Sequence, residues 1–416
     1  MSKRLRLSYC VLALIVLGLT VAVIAIGGRP DPLGPAITLD GTWRFHPGDD
    51  PAWADPRLDD RAWERLDLVS SPDRRDDDVG LPGWLTGWHA HGHPRLEGYG
   101  WYRRQVALPA DGALVLLGPT MVDDGYEMFW NGRALGGIGR LGPDPKVIGA
   151  RPFRVALPRL AGERSGVLAI RTFMLPGLGR DGVSGGLRSV PTLATASFGE
   201  QLHRAQWMRT IAGYIVEVAI PAMMLLLAGI ALAVARSTAR PGFARWLAVA
   251  LVATALLRLG NAVGAWTDLL GAFTLGYGNA FVLSPLAMLA WTAAWNEWTD
   301  GRERRGVLAC ALAAGIARVV GAAFHMATLA TGARIVFILL FVAIALRIAL
   351  RGERRTLALT AMAPIAVALF VNELSQLGMP TIWFPFNIGV TLTQYMYGLA
   401  VFLLPFTLVA RGERHG

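Results

Sequence analysis

Three histidines alternate in His89-Ala90-His91-Gly92-His93. Imidazole is a good ligand for zinc and copper, and alternate residues of a strand point to one face. The spacing therefore allows a metal site, but Gly92 and Pro94 mark a loop, and no carboxylate stands by to orient the rings. A solvated or ligand-contacting loop is the reading adopted; no metal or cofactor is expected, and the metal question stays open. Gly182-Val183-Ser184-Gly185-Gly186 fits the G-x-S-x-G of a nucleophile elbow, and Gly137-Ile138-Gly139-Arg140-Leu141-Gly142 fits G-x-G-x-x-G. The first needs a strand–turn–helix in an α/β sheet and the second a βαβ unit. Neither context surrounds these glycines, so both read as loops and no catalytic residue is assigned. The acidic run 76–78 reads as a solvated face. Asp123 and Asp124 precede a strand, where carboxylates serve turns or touch a ligand. Trp84 and Trp88 lie in a stretch rich in Gly, His and Pro and are candidate stacking platforms. The expected ligand-binding set is Trp84, Trp88, His89, His91, His93, Asp123 and Asp124.

A second group of polar residues lies in apolar sequence: Glu217, Arg258, Asn261, Asn279, Arg318, His325, Arg334, Asn372, Glu373 and Asn387. Ionisable side chains in membrane helices are costly and face a cavity or one another. Glu217 and Glu373 are expected to pair with Arg258, Arg318 or Arg334, lining an outward-facing pocket or a seat for the preceding domain. The competing reading is snorkelling from helix ends, hardest to sustain at Arg318, which lies deeper than the rest.

The elements that carry these residues follow from composition. The chain has 416 residues, 53% apolar and 17% charged, with a mean hydropathy of +0.42. That excludes a disordered chain and points to the membrane. The net charge of +10 does not mark a nucleic-acid binder. Residues 31–205 carry twenty basic and twenty-two acidic residues, and residues 206–416 carry sixteen and eight; the excess sits beside apolar segments, not on a soluble face. Cys10 and Cys310 both lie in apolar runs, which leaves no disulfide framework. Residues 1–30 form a signal anchor or a signal peptide, the anchor being preferred for its length. Seven further spans are expected at 210–235, 245–263, 276–295, 306–326, 333–350, 356–376 and 386–410, within a helical domain 206–410 followed by a short tail 411–416. Arginines crowd the loops 236–245, 296–305 and 351–355 and the tail, while the alternate loops have none. The arginine-rich side is expected to be cytoplasmic. That puts the C-terminus inside, residues 31–205 on the periplasmic or extracellular side, and the chain in a cytoplasmic (inner) membrane. Pro221, Pro285, Pro364 and Pro405 fall inside helices and favour kinks.

Residues 31–205 read as all-β: short alternating or apolar runs separated by Gly, Pro and Asp, with Asn131-Gly132 as a hairpin signal. Trp43, Trp63 and Trp101 are expected in its core. Here Gly41-Thr42-Trp43-Arg44-Phe45, Trp63, Gly100-Trp101-Tyr102-Arg103-Arg104, the block from Asp123 to Gly132 and Leu168-Ala169-Ile170-Arg171 resemble the sugar-binding jelly roll of family 2 glycoside hydrolases. The resemblance covers nearly all of 37–198. It implies a galactose-binding-like β-sandwich but not hydrolysis, because that family's catalytic carboxylates belong to a separate barrel. The layout of the whole chain is similar to that of bacterial seven-transmembrane receptors with diverse intracellular signalling modules. That resemblance implies a cytoplasmic effector after the last helix; none follows here, so output through a cytoplasmic signalling protein in trans is expected.

The expected fold is a seven-helix membrane bundle with an N-terminal anchor or signal and an exported jelly-roll sandwich. The expected function is that of a receptor-like sensor, not an enzyme. Its sandwich binds a small molecule or glycan, and its helices pass a population shift inward. A transport or envelope-assembly component is the first alternative and a membrane-tethered hydrolase the second. The bilayer is the expected lipid partner, nucleic acid is not expected, and an oligomer is compatible with the sequence.

Overall fold

The computed structural model describes residues 3–69, 85–94, 96–109, 112–149, 151–176, 185–238, 241–299, 304–351 and 354–412. Trp84, the acidic run 76–78 and Ser184 lie outside these residues. The chain divides into two compact units: Gly27–Ile211 with Val263–Leu275, and Met1–Ile26, Ala212–Ala262 and Gly276–Gly416.

The first unit is built on antiparallel β-structure. Its strands are β1 (Ala36–Thr38), β2 (Gly41–Pro47), β3 (Glu64–Leu68), β4 (Gly98–Ala107), β5 (Leu114–Leu117), β6 (Val122–Asp123), β7 (Gly125–Trp130), β8 (Arg133–Ile138), β9 (Arg154–Ala156), β10 (Ser165–Met174), β11 (Gly186–Leu187) and β12 (Thr192–Thr195). Six of them form a sheet in the order β3-β2-β4-β10-β7-β8, four form a second in the order β1-β12-β5-β9, and β11 pairs with β6. Strand alternation sends Trp43, Phe45, Tyr102, Met128 and Ile170 of the larger sheet into one apolar core with Leu116 and Leu193 of the smaller. Asn131 (φ 47°) and Gly132 (φ 82°) make the two-residue turn between β7 and β8, where a right-twisted hairpin needs positive φ at both positions. The larger sheet has a second apolar layer on its other face. There Trp101, Ala169 and Phe129 meet Trp53, Ala54, Leu58 and Trp63, so Trp43 and Trp101 are core residues of two different layers.

The other unit is helical. The helices of the chain are α1 (Lys3–Gly27), α2 (Ala196–Tyr214), α3 (Val216–Ser237), α4 (Gly242–Trp266), α5 (Ala272–Gly278), α6 (Ser284–Trp298), α7 (Arg304–Ala323), α8 (Ala327–Arg351), α9 (Arg355–Leu369), α10 (Val371–Gln376) and α11 (Leu392–Gly412). A π-helical turn, Asn279–Leu283, joins α5 to α6. Seven helical runs among the described residues are long and apolar enough to cross a membrane: Leu7–Gly27, Ala196–Ser237, Gly242–Trp266, Ala272–Trp298, Arg304–Ala323, Ala327–Leu350 and Leu392–Val409. They make this a multi-pass membrane protein. The span expected over 356–376 is interrupted. That segment breaks at Phe370 (φ −114°, ψ 28°) into α9, of 15 residues, and α10, of 6. Fifteen residues reach about 22 Å of a hydrocarbon core of about 30 Å, and α10 continues the path to Gln376. The span expected from 386 likewise starts at Leu392, after a small hairpin of β13 (Ile382–Trp383) and β14 (Val390–Thr391). Leu225, Leu232, Leu339 and Leu346 are exposed, as lipid-facing residues are.

Candidate functional site

The loop 85–94 does not present the surface its composition suggests. Trp88 opens a 3-10 turn, Trp88–His91, and is fully buried in the inter-sheet core. Its indole N–H donates to the Tyr102 hydroxyl at 2.7 Å. The ring fits there because three glycines leave room: a Cβ on Gly100, Gly185 or Gly186 would lie 2.7, 2.5 or 2.3 Å from it. The glycines of the motif Gly182–Gly186 thus include two that seat an indole. The expectation that Trp88 offers a stacking face is corrected: it has no free face. His89 is exposed, while His91 Nε2 lies 3.2 Å from Thr86 Oγ1 and His93 Nε2 lies 2.7 Å from Glu64 Oε2. A 3-10 turn advances about three residues per turn, so alternate positions do not share a face as they would on a strand. Among the described residues, no group of three His, Cys, Asp or Glu is placed to hold a metal ion. Asp123 accepts the Gly185 N–H at 3.0 Å and lies 3.7 Å from the buried Arg188, and Asp124 accepts the Leu175 N–H at 2.9 Å. Both carboxylates brace backbone.

The outer face of the six-stranded sheet is more elaborate than its sequence suggests. Strand register sets His46, Trp101, Arg171 and Glu127 side by side in one row, and Arg65, Arg44, Arg103, Ala169 and Phe129 in the next. Arg171 grips Asp49 with a two-toothed fork, Nε to Oδ1 at 2.7 Å and Nη2 to Oδ2 at 2.5 Å. It reaches Glu127 at 3.2 Å and stacks over Tyr99. Arg103 is 1% exposed. It donates to Asp60 Oδ2 at 3.0 Å, to the Asp55 carbonyl at 3.1 Å and to the Trp53 carbonyl. These two guanidiniums fasten the strap 48–63 over the sheet. Both arginines stand in the resembling blocks, but alternation alone predicts only a solvated outer position, so their burial is not legible in sequence.

In the helical unit the polar residues fall into two networks. Glu217 of α3 is 4% exposed. One of its oxygens is shared by Arg258 of α4 and by Gln394 of α11, whose amide lies at 2.6 Å. Arg334 of α8 holds Glu373 of α10 by two bonds, Nε to Oε1 at 2.5 Å and Nη2 to Oε2 at 2.6 Å. The same Nη2 reaches the Leu369 carbonyl at 3.3 Å, a group left open where α9 ends. Arg318 of α7 donates to Ser284 Oγ at 3.2 Å, and its Nε is buried without a partner among the described residues. Asn261 is half-buried; His325 and Asn372 are exposed. Gln394 and Ser284 were not anticipated, because uncharged polar residues near helix ends look like interfacial ones.

No family model matches the chain, and no curated protein matches it. Several solved structures are similar to part of it. A calcium binding mutant of Bacteroides uniformis beta-glucuronidase 2 is 21% identical over 38% of this chain and 17% of its own, with a TM-score of 0.28. A Faecalibacterium prausnitzii beta-glucuronidase is 19% identical over 40% of this chain and 33% of its own, TM-score 0.28. A glycosyl hydrolase family 2 member from Bacteroides cellulosilyticus is 20% identical over 39% and 20%, TM-score 0.28. The chain thus spans a third or less of these proteins, and likeness at such scores carries no argument about activity.

Proposed function

We propose that the protein is a receptor-like sensor of a cytoplasmic (inner) membrane. Its β-unit lies outside and binds a small molecule or glycan. Its helices pass the event to a cytoplasmic signalling protein through the arginine-rich loops, and no chemical step is performed. The observation that carries this reading is the Glu217–Arg258–Gln394 network. It ties three membrane helices at one buried carboxylate, and ionisable groups at membrane depth mark function more often than stability. A shared carboxylate has discrete partner arrangements, which is what a ligand must bias to shift a population.

The test is purification of the full chain from native membranes with and without soluble envelope glycans. A sensor recovers a cytoplasmic protein in a glycan-dependent manner, and Glu217→Gln abolishes that dependence. Glycan uptake into proteoliposomes with unchanged co-purification would replace the sensor with a transporter.

A further inference from the structure

The strap that covers Trp101 leaves part of the outer sheet face open. An open cleft of about 410 Å³ remains there, lined among others by Arg44, Arg65, Arg103, Arg104, Asp60 and Leu58. Of the lining arginines, Arg44 and Arg65 stand on the outer face, Arg103 is buried beneath the strap, and Arg104 alternates to the opposite face, over Trp43. Arg65 and Arg44 are direct cross-strand partners, and so are Arg44 and Arg103. Three like charges in one row across adjacent strands oppose sheet formation. Arg103 has Asp60 and two backbone carbonyls, and Arg44 feels the Asp59 carboxylate without a direct ion pair to it. Arg44 spends a single N–H on the Trp63 carbonyl at 3.2 Å. Neither Arg44 nor Arg65 forms an ion pair among the described residues, and Asp67, two residues beyond Arg65 on the same face, bonds to neither. Arg104 donates to the Asp40 carbonyl.

We propose that this cleft binds a small ligand bearing an oxyanion, that is, a carboxylate, sulfate or phosphate group. Directly opposed residues on a sheet have Cβ atoms about 5 Å apart, so Arg44 and Arg65 present two forks to one anionic group. A guanidinium fork matches two coplanar or tetrahedral oxygens, and such paired bonds are the strong ones. Bound anion adds counter-charge to a row in which neither Arg44 nor Arg65 holds a direct ion pair among the described residues. Pro56 and Leu58 of the strap add an apolar wall, against which the uncharged part of the ligand can lie. A cleft of this volume falls in the range of small-molecule sites. The inference rests on the reading of the β-unit as the ligand-binding part and narrows it to anions.

The full chain in detergent micelles is titrated calorimetrically with galacturonate, sulfate and inorganic phosphate, and with galactose, which carries a C6 hydroxymethyl group where galacturonate has its carboxylate. Ionic strength is held constant so that general screening does not differ between arms. The expected result is saturable binding of at least one anion and none of galactose; which anion binds tells a sugar acid from a sulfated or phosphorylated ligand. Arg65→Gln, an exposed change that leaves the fold intact, weakens that binding at least tenfold. Arg57→Gln, whose side chain is tied to Asp55 outside the cleft, leaves it unchanged. Failure of all three anions to bind, equal affinity for galactose, or undiminished binding by Arg65→Gln would overturn the anion site. Galactose binding that survives Arg65→Gln removes this site but leaves the sensor reading standing; the sensor reading falls only on its own co-purification test.

Discussion

Tyr102 and Tyr126 are both fully buried, yet their hydroxyls have opposite circumstances. That of Tyr102 accepts from the Trp88 indole at 2.7 Å and the Leu187 N–H at 3.3 Å, whereas that of Tyr126 has no partner among the described residues. Tyr102→Phe should cost about 1–3 kcal/mol by stranding a buried indole N–H, and Tyr126→Phe should be neutral or stabilising; melting temperatures of the two variants decide this. Burial pushes both hydroxyls up from the ordinary tyrosine value. The folded state therefore keeps protons that the unfolded chain gives up. The stability this contributes is complete below about pH 10 and falls as pH rises beyond it, so Tyr126→Phe should flatten the alkaline loss of melting temperature. At Glu217, substitution by Gln leaves Arg258 without its counter-charge and should cost about 3–5 kcal/mol, while Glu217→Gln with Arg258→Met should cost less than the single change. Thermal unfolding of both single variants and the double variant in micelles reads the cycle; losses that simply add would show that the two residues do not act as a pair. Glu217, Arg258, Arg334 and Glu373 were legible because a charge in an apolar run has no cheap solvent. Trp88 was not: a loop has no periodicity from which to read the direction of a side chain.

The break between α9 and α10 shows what a hydropathy window hides. Averaged over 356–376 the segment looks like one unbroken helix, but the path is interrupted at Phe370, and polar Asn372 and Glu373 stand in the short helix that resumes there. In hydrocarbon an open carbonyl is expensive, and Arg334 serves both the Leu369 carbonyl and the Glu373 carboxylate. Arg334→Gln should therefore speed hydrogen exchange of the amides in 371–376 and leave those of α8 unchanged; uniform acceleration through the unit would refute the local role. The β-unit was more legible at this scale. The Asn131-Gly132 turn, the alternation into the core and the blocks around Trp43 and Trp101 all follow rules of period two. What the rules omit is the second layer, because an outer face reads as polar whether water or a strap covers it.

For the whole molecule, sidedness is the first quantity to measure. In a background lacking Cys10 and Cys310, an impermeant maleimide applied to intact cells should label Asp268→Cys and should label Ser237→Cys only after permeabilisation; the reverse pattern inverts the proposed orientation. Helix α1 bears on the choice between anchor and signal peptide. Tyr9 and Ala13 are buried in the core of the helical unit, and the Tyr9 hydroxyl reaches the Met223 carbonyl. The mature protein should therefore retain residues 1–30 by intact mass. The strap 48–63 has a consequence for how the β-unit is made. It contains one 3-10 turn and no strand, and its seat is built from Trp101, Arg103, Phe129 and Arg171, with the Asp49–Arg171 bond closing a separation of 122 residues. A chain synthesised from its N-terminus offers this strap nowhere to lie until strand β10 has joined the sheet. The outer layer therefore gains its protection only once β10 is in place, and until then a quality-control protease that meets a half-made chain finds a cut site between Asp49 and Trp63.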